Sequence, residues 1–170
     1  KKSGFEIKPT NLDWRNLSKD YSENSFDAII CLGNSITCLD GKENQLRAVE
    51  QFNKVLRKEG VLIIDERNYQ KILDNRELAL KEELHSSGKY LYTGTNKVKA
   101  SFKAITDEYI IIEYTHLGTD KKAYYLVHPF KKGELRRLLE EAGFSKIEQY
   151  SDYELGENPD ADFYQYVCIK

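Results

Sequence analysis

The residues in this chain best suited to hold a small ligand are Asn34 and Arg67, each just past the end of an apolar run. Phe26-Asp27-Ala28-Ile29-Ile30-Cys31-Leu32 runs straight into Gly33-Asn34-Ser35, and Val61-Leu62-Ile63-Ile64-Asp65 ends in Glu66-Arg67-Asn68. Arg67 offers a planar fork of donors matched to a carboxylate, a geometry that lysine does not reproduce. Asn34 brings a donor and an acceptor to the same place, and Gly33, lacking a Cβ, lets main chain approach a ligand closely. A substrate carrying a carboxylate beside a reactive group would suit such a rim. Taken singly, each residue also has a plainer reading: an Arg after a strand is commonly a solvated surface residue, and Gly-Asn is a common turn.

The elements around these residues decide whether they can meet. Both apolar runs read as strands, and Leu46, Val49, Phe52, Val55 and Leu56 recur between them at helical spacing over 43–56. Asp40 and Glu43 stand in capping-box positions before that helix, and Gly60 is expected to stop it after the cations Arg57 and Lys58. Strand, helix and strand with short links form a βαβ unit, which sets two parallel strands about 5 Å apart. Ligands bind at the carboxyl ends of such strands in open α/β sheets.

Further along, 69–84 reads as a helix interrupted at Asn75. The runs 98–104, 108–116 and 122–128 alternate as an antiparallel meander, and 131–142 reads as a helix stopped by Gly143. Strands over 144–153 and 163–169 close the chain, and Phe5, Ile7 and Pro9 suggest a short strand at its start.

Composition narrows the function classes. The 170 residues, 40% of them hydrophobic, can bury one core, so a single domain is expected. A formal charge of −2 without a basic stripe points to small-molecule partners and away from nucleic acid. Cys31, Cys38 and Cys168 have neither metal nor redox spacing and read as reduced thiols of a cytoplasmic protein. No apolar stretch approaches the roughly 18 residues that span a bilayer. His85, His116 and His128 lack a partnered nucleophile motif and read as ordinary.

In order along the chain, Asp13-Trp14-Arg15, the 26–35 segment, Leu56-Arg57-Lys58-Glu59-Gly60-Val61-Leu62-Ile63-Ile64-Asp65 and Arg67-Asn68-Tyr69 resemble the S-adenosylmethionine-dependent glycine and sarcosine N-methyltransferases. The likeness continues in Glu113-Tyr114 and in Glu141-Ala142-Gly143-Phe144, and it covers the C-terminal two-thirds of that family's pattern. It implies a Rossmann-like class I methyltransferase sheet, α/β, mostly parallel and doubly wound, with an antiparallel insertion over about 86–128. The whole of 1–170 would be one partial domain lacking the fold's N-terminal strands.

The resemblance also implies an enzyme that uses S-adenosylmethionine to methylate the amino nitrogen of glycine or sarcosine, on the way to betaine. Carried over residue by residue, Asp13 and Trp14 would recognise the cofactor's adenine, and Leu32 and Gly33 would line the cofactor. Asn34 and Arg67 would hold the amino acid carboxylate, Tyr114 would reach the substrate, and Tyr92 falls near a further substrate-binding tyrosine. No dedicated catalytic base and no metal are expected. Cys38 stands where mammalian-type relatives have His, and Tyr124 or Tyr125 competes with Val127 for another aromatic position.

Two other readings stay open: a class I methyltransferase for another small acceptor, and a non-catalytic binding module without the donor loop. A dehydrogenase is disfavoured, because no Gly-x-Gly-x-x-Gly occurs. The Gly-rich cofactor loop is absent from this sequence, as is the strand that would pair with 26–32, so that strand is expected to be an open sheet edge. The 170 residues alone are accordingly expected neither to fold well nor to bind cofactor.

Overall fold

The computed structural model of the chain describes residues 9–84, 98–119 and 121–170. The run at Phe5–Pro9 falls largely outside these, and Tyr92 and His85 fall wholly outside them.

β1 (Phe26–Cys31), α1 (Gly41–Val55) and β2 (Leu56–Arg67) form the expected βαβ unit, with β1 parallel to β2 from Ala28↔Val61 to Cys31↔Ile64. Two local expectations are corrected. The helix ends at Val55 rather than after Lys58, because Leu56 is fully buried, takes extended dihedrals and pairs with Phe26. Gly60 lies inside β2, where the chain kinks with Glu59 at φ 61°; a Cβ on Gly60 would stand 2.7 Å from the Arg57 carbonyl oxygen. Asp40 occupies the N-cap position, but its side chain caps nothing and lies 3.2 Å from His128 Nε2.

The remaining elements are α2 (Tyr69–Asp74), α3 (Arg76–Leu80), β3 (Val98–Ile105), β4 (Ile110–His116), β5 (Lys122–Val127), α4 (Glu134–Glu141), β6 (Lys146–Ser151), β7 (Glu154–Leu155) and β8 (Phe163–Ile169). Among the described residues the main sheet is mixed, in the order β1-β2-β8-β6-β7. Its one parallel pair is β1 with β2, and β8 runs antiparallel to both β2 and β6. β3, β4 and β5 form the separate antiparallel meander that the alternation predicts.

Two apolar clusters hold these layers together. Phe52 and Val49 of α1, and Leu135 and Leu139 of α4, pack on Leu62, Ile64 and Tyr166 of the main sheet. Tyr69, Ile72, Leu73 and Ala79 of α2 and α3 pack on Ile105, Ile110, Ile112 and Val127 of the meander. The helices after β2 therefore carry the meander to the carboxyl end of β1 and β2.

β1 lies at the end of the strand order, with one hydrogen-bonding edge unpaired among the described residues. Ile30 is 67% exposed there, and Trp14, Leu17, Tyr21 and Phe26 line an apolar groove along the same strand.

Candidate active site

Leaving β1, the chain turns on two successive left-handed residues, Gly33 at φ 75° and Asn34 at φ 61°. Glycine takes that conformation freely, and asparagine tolerates it better than most residues do. The buried Asp65 carboxylate at the end of β2 fixes the turn: Oδ2 accepts the Gly33 N–H at 3.1 Å, and Oδ1 accepts the Asn34 N–H at 2.6 Å.

The Asn34 side chain then spans the two strand ends. Its Oδ1 accepts the Arg67 N–H at 3.1 Å, and its Nδ2 donates to the Tyr69 hydroxyl. Burial pushes that hydroxyl up to about 12, so Tyr69 stays a neutral partner. A primary amide carries two donors, and among the described residues the second Nδ2 proton has no protein acceptor.

Arg67 lays its guanidinium over the Phe163 ring, 4.7 Å from Cζ to the centroid, and makes no ion pair among the described residues. The stacking orients the fork, and among the described residues no hydrogen bond is made by its N–H edge. Arg67 lines a cavity of about 210 Å³ together with Lys71, Ile72, Phe102, Ile112 and Tyr114. Lys71, the other cation in that cavity, faces Asp162 at 3.6 Å and donates to the Asp160 carbonyl at 2.9 Å. Among the described residues one positive charge is thus left over, which suits a small anionic ligand. The volume falls below the roughly 300–1,000 Å³ typical of sites for drug-sized ligands.

Tyr114 projects from β4 into this cavity and packs edge-on against Tyr125, with centroids 6.3 Å apart. The Tyr125 hydroxyl lies 2.6 Å from Cys38 Sγ. Among the described residues no group of His, Cys, Asp and Glu could hold a metal ion.

No protein-family model matches the chain. The glycine/sarcosine N-methyltransferase of Aphanothece halophytica is 37% identical over 96% of this chain, which spans 58% of that relative. The glycine/sarcosine N-methyltransferase of Halorhodospira halochloris is 35% identical over 100% of this chain, which spans 60% of that relative. An S-adenosylmethionine-dependent methyltransferase from Clostridium acetobutylicum superposes on 98% of this chain and 65% of its own, with a TM-score of 0.68 at 15% identity. The fold is that of the S-adenosylmethionine-dependent methyltransferases. By sequence, the chain is similar to the glycine/sarcosine N-methyltransferases over nearly its whole length, and it spans less than two thirds of either relative.

Within this methyltransferase fold, the residues singled out in the sequence fall into three groups. Arg67 and Tyr114 line the cavity, and Asn34 is hydrogen-bonded to the Arg67 main chain beside it. Leu32 and Gly33 sit at the open end of β1. Leu32 is partly exposed, and among the described residues a Cβ on Gly33 would find only Ser35 Oγ, at 3.9 Å, so bare main chain is presented there. Close cofactor approach to that backbone is compatible with this geometry.

Asp13 and Trp14 form the third group, at the start of a 3-10 helix (Trp14–Lys19) packed against α1. The Trp14 ring lies 5.9 Å from that of Phe52. The Asp13 carboxylate is held by Arg15, which donates its N–H at 2.9 Å, Nε at 2.9 and 3.1 Å and Nη2 at 2.7 Å. Those bonds pull Asp13 down to about 2 and engage both of its oxygens.

Sequence reasoning assigned no site role to Asp65, Tyr69, Phe163 and Tyr125. Asp65 carried a visible signal, an acidic residue closing an otherwise apolar strand, and Tyr69 lay in the quoted Arg67-Asn68-Tyr69 run. Tyr125 was weighed against Val127 for an aromatic position and left unassigned, and the contacts of Phe163 with Arg67 and of Tyr125 with Cys38 arise between residues distant in sequence.

Proposed function

We propose that this chain forms the acceptor side of an enzyme that methylates the amino nitrogen of glycine, and of sarcosine, with S-adenosylmethionine as donor. The observation that carries this reading is the Arg67 guanidinium, stacked on Phe163 without an ion pair among the described residues, in a small cavity shared with Tyr114. Arg67 grips the substrate carboxylate through its fork, and the second Nδ2 proton of Asn34 adds a further hydrogen bond. With the carboxylate fixed, the amine lone pair is aimed along one line, the positioning such a transfer requires.

The cofactor, when bound, would supply a methyl group on a sulfonium, open to in-line attack by a neutral amine with the neutral thioether as leaving group. Leu32 and the bare Gly33 backbone would flank it, with Asp13 and Trp14 toward its adenine. For Asp13 this requires the Arg15 fork to release one oxygen. Tyr114 and Tyr125 present aromatic rings to the positive charge that passes to nitrogen, and ring faces attract cations without competing as nucleophiles. No side chain is assigned as base: the amine arrives neutral, and the methylated ammonium leaves with its proton.

The reading extends to the cytoplasm and to a step toward betaine. Three free thiols among the described residues suit a reducing compartment, and repeated methylation of glycine nitrogen ends at betaine. A small amino acid is the partner, rather than nucleic acid, in keeping with the formal charge of −2, or a membrane. No helix among the described residues is long and apolar enough to cross one.

A second reading, a different small acceptor, draws on the apolar side of the cavity, where Ile72, Phe102 and Ile112 exceed what glycine needs. Methylation assays of the intact protein with glycine, sarcosine, dimethylglycine and larger amino acids separate the two. Turnover on glycine or sarcosine supports the first; turnover confined to larger acceptors supports the second, and none on any acceptor removes both.

A further inference from the structure

We infer that Asp65 is a positioning residue of the acceptor site, acting through Asn34; this rests on the glycine methyltransferase reading above. Asn34 meets a ligand in a useful orientation only if its backbone stays left-handed, a conformation that a non-glycine residue adopts at some cost. The Asp65 carboxylate grips the N–H groups of both left-handed residues, Gly33 at 3.1 Å and Asn34 at 2.6 Å. Both oxygens of this fully buried side chain are thereby engaged by the main chain of the turn.

The consequence is a closed ring between the two strand ends. Asp65 in β2 holds the Asn34 main chain, and the Asn34 side chain returns to β2 at the Arg67 N–H and to α2 at the Tyr69 hydroxyl. Three consecutive residues of β2 alternate in direction, so the Asp65 and Arg67 side chains leave the same face of the strand. One carboxylate therefore fixes the placement of both proposed carboxylate ligands relative to each other. If Asp65 only stabilised the fold, its loss would weaken cofactor and acceptor binding alike.

The test measures glycine kinetics, cofactor affinity by calorimetry and thermal unfolding in the intact protein. The variants are Asp65→Asn, Asp65→Glu, Asn34→Ala and the Asp65→Asn/Asn34→Ala double variant. Wild-type turnover on glycine comes first; without it the functional reading fails, whatever Asp65 does. Given turnover, Asp65→Asn, which turns one acceptor into a donor facing an N–H, is expected to raise the glycine KM about tenfold. Cofactor affinity, which the bond from the Gly33 N–H to Asp65 also touches, is expected to fall by no more than about threefold, roughly 0.7 kcal/mol.

Asp65→Glu keeps the charge but displaces it, and is expected to show the same split in weaker form. In the Asn34→Ala background, Asp65→Asn is expected to have little further effect, since residues acting as one unit are not additive. Additive losses, parallel losses of cofactor and acceptor binding, unchanged glycine kinetics, or failure of both single Asp65 variants to fold would each overturn the inference.

Discussion

Asn34 Oδ1 accepts the main-chain N–H of Arg67 at 3.1 Å, so the two residues proposed to grip one carboxylate are bonded to each other before any ligand arrives. Preorganisation of this kind lowers the ordering cost of binding. It also means that residues supporting Asn34 should influence acceptor binding more than cofactor binding.

Tyr69 is the nearest such support. Tyr69→Phe removes the hydroxyl that accepts from Asn34 Nδ2 and leaves that donor partly buried without its partner. The expected stability loss is about 1–2 kcal/mol, read by denaturant unfolding, together with a several-fold rise in glycine KM. A stability loss with unchanged glycine KM would confine Tyr69 to the core cluster beneath the meander.

Asp13 and Arg15 provide a test on the cofactor side. The adenine role given to Asp13 requires a carboxylate that Arg15 now holds. Asp13→Ala should raise the cofactor Kd about tenfold, the loss of one charge-assisted hydrogen bond, with glycine KM unchanged. Arg15→Ala, which releases the carboxylate, should leave the cofactor Kd equal or lower. Equal weakening by both variants would make the pair a local clasp for the 3-10 helix.

Glu66 sets a pH dependence of stability. It is buried beside the Tyr166 hydroxyl, which donates to Oε1 at 2.9 Å, and burial pushes the carboxyl up to about 8. Lys42 from α1 draws it down, and Glu134 from α4 and Asp65 from β2 raise it further. Because the folded value exceeds that of the unfolded chain, this group's contribution is fully present below about pH 4.5 and is lost as pH rises through about 8. Glu66→Gln should match wild type near pH 4 and exceed it by up to about 3 kcal/mol at pH 7. Parallel stability curves for the two proteins across that range would contradict this.

What could be read from the sequence, and what could not, follows the range of the interactions. The βαβ unit and the meander were legible because period and turn residues are local, and β3, β4 and β5 fall where alternation put them. The end of α1 was misread because burial and pairing of Leu56 overrode its helical spacing. Asn34, Arg67 and Tyr114 were named through a resemblance that fixed their order; the structure sets Arg67 and Tyr114 on one cavity and bonds Asn34 to the Arg67 main chain. The Phe163 ring under Arg67 comes from antiparallel pairing of β8 with β2, which no spacing in the sequence announces. The Arg15 hold on Asp13 was readable in principle, since the two lie two positions apart, yet adenine recognition alone was assigned there.

The central claim, that Arg67 holds the acceptor's carboxylate, is tested most directly by Arg67→Lys in the intact protein, with glycine kinetics and cofactor affinity measured together. Lysine keeps the charge but replaces a stacked, bidentate fork with a point charge. The account predicts a glycine KM raised at least about tenfold and a reduced kcat/KM, with cofactor affinity within a few-fold of wild type. Unchanged glycine kinetics would contradict it and remove Arg67 from the site.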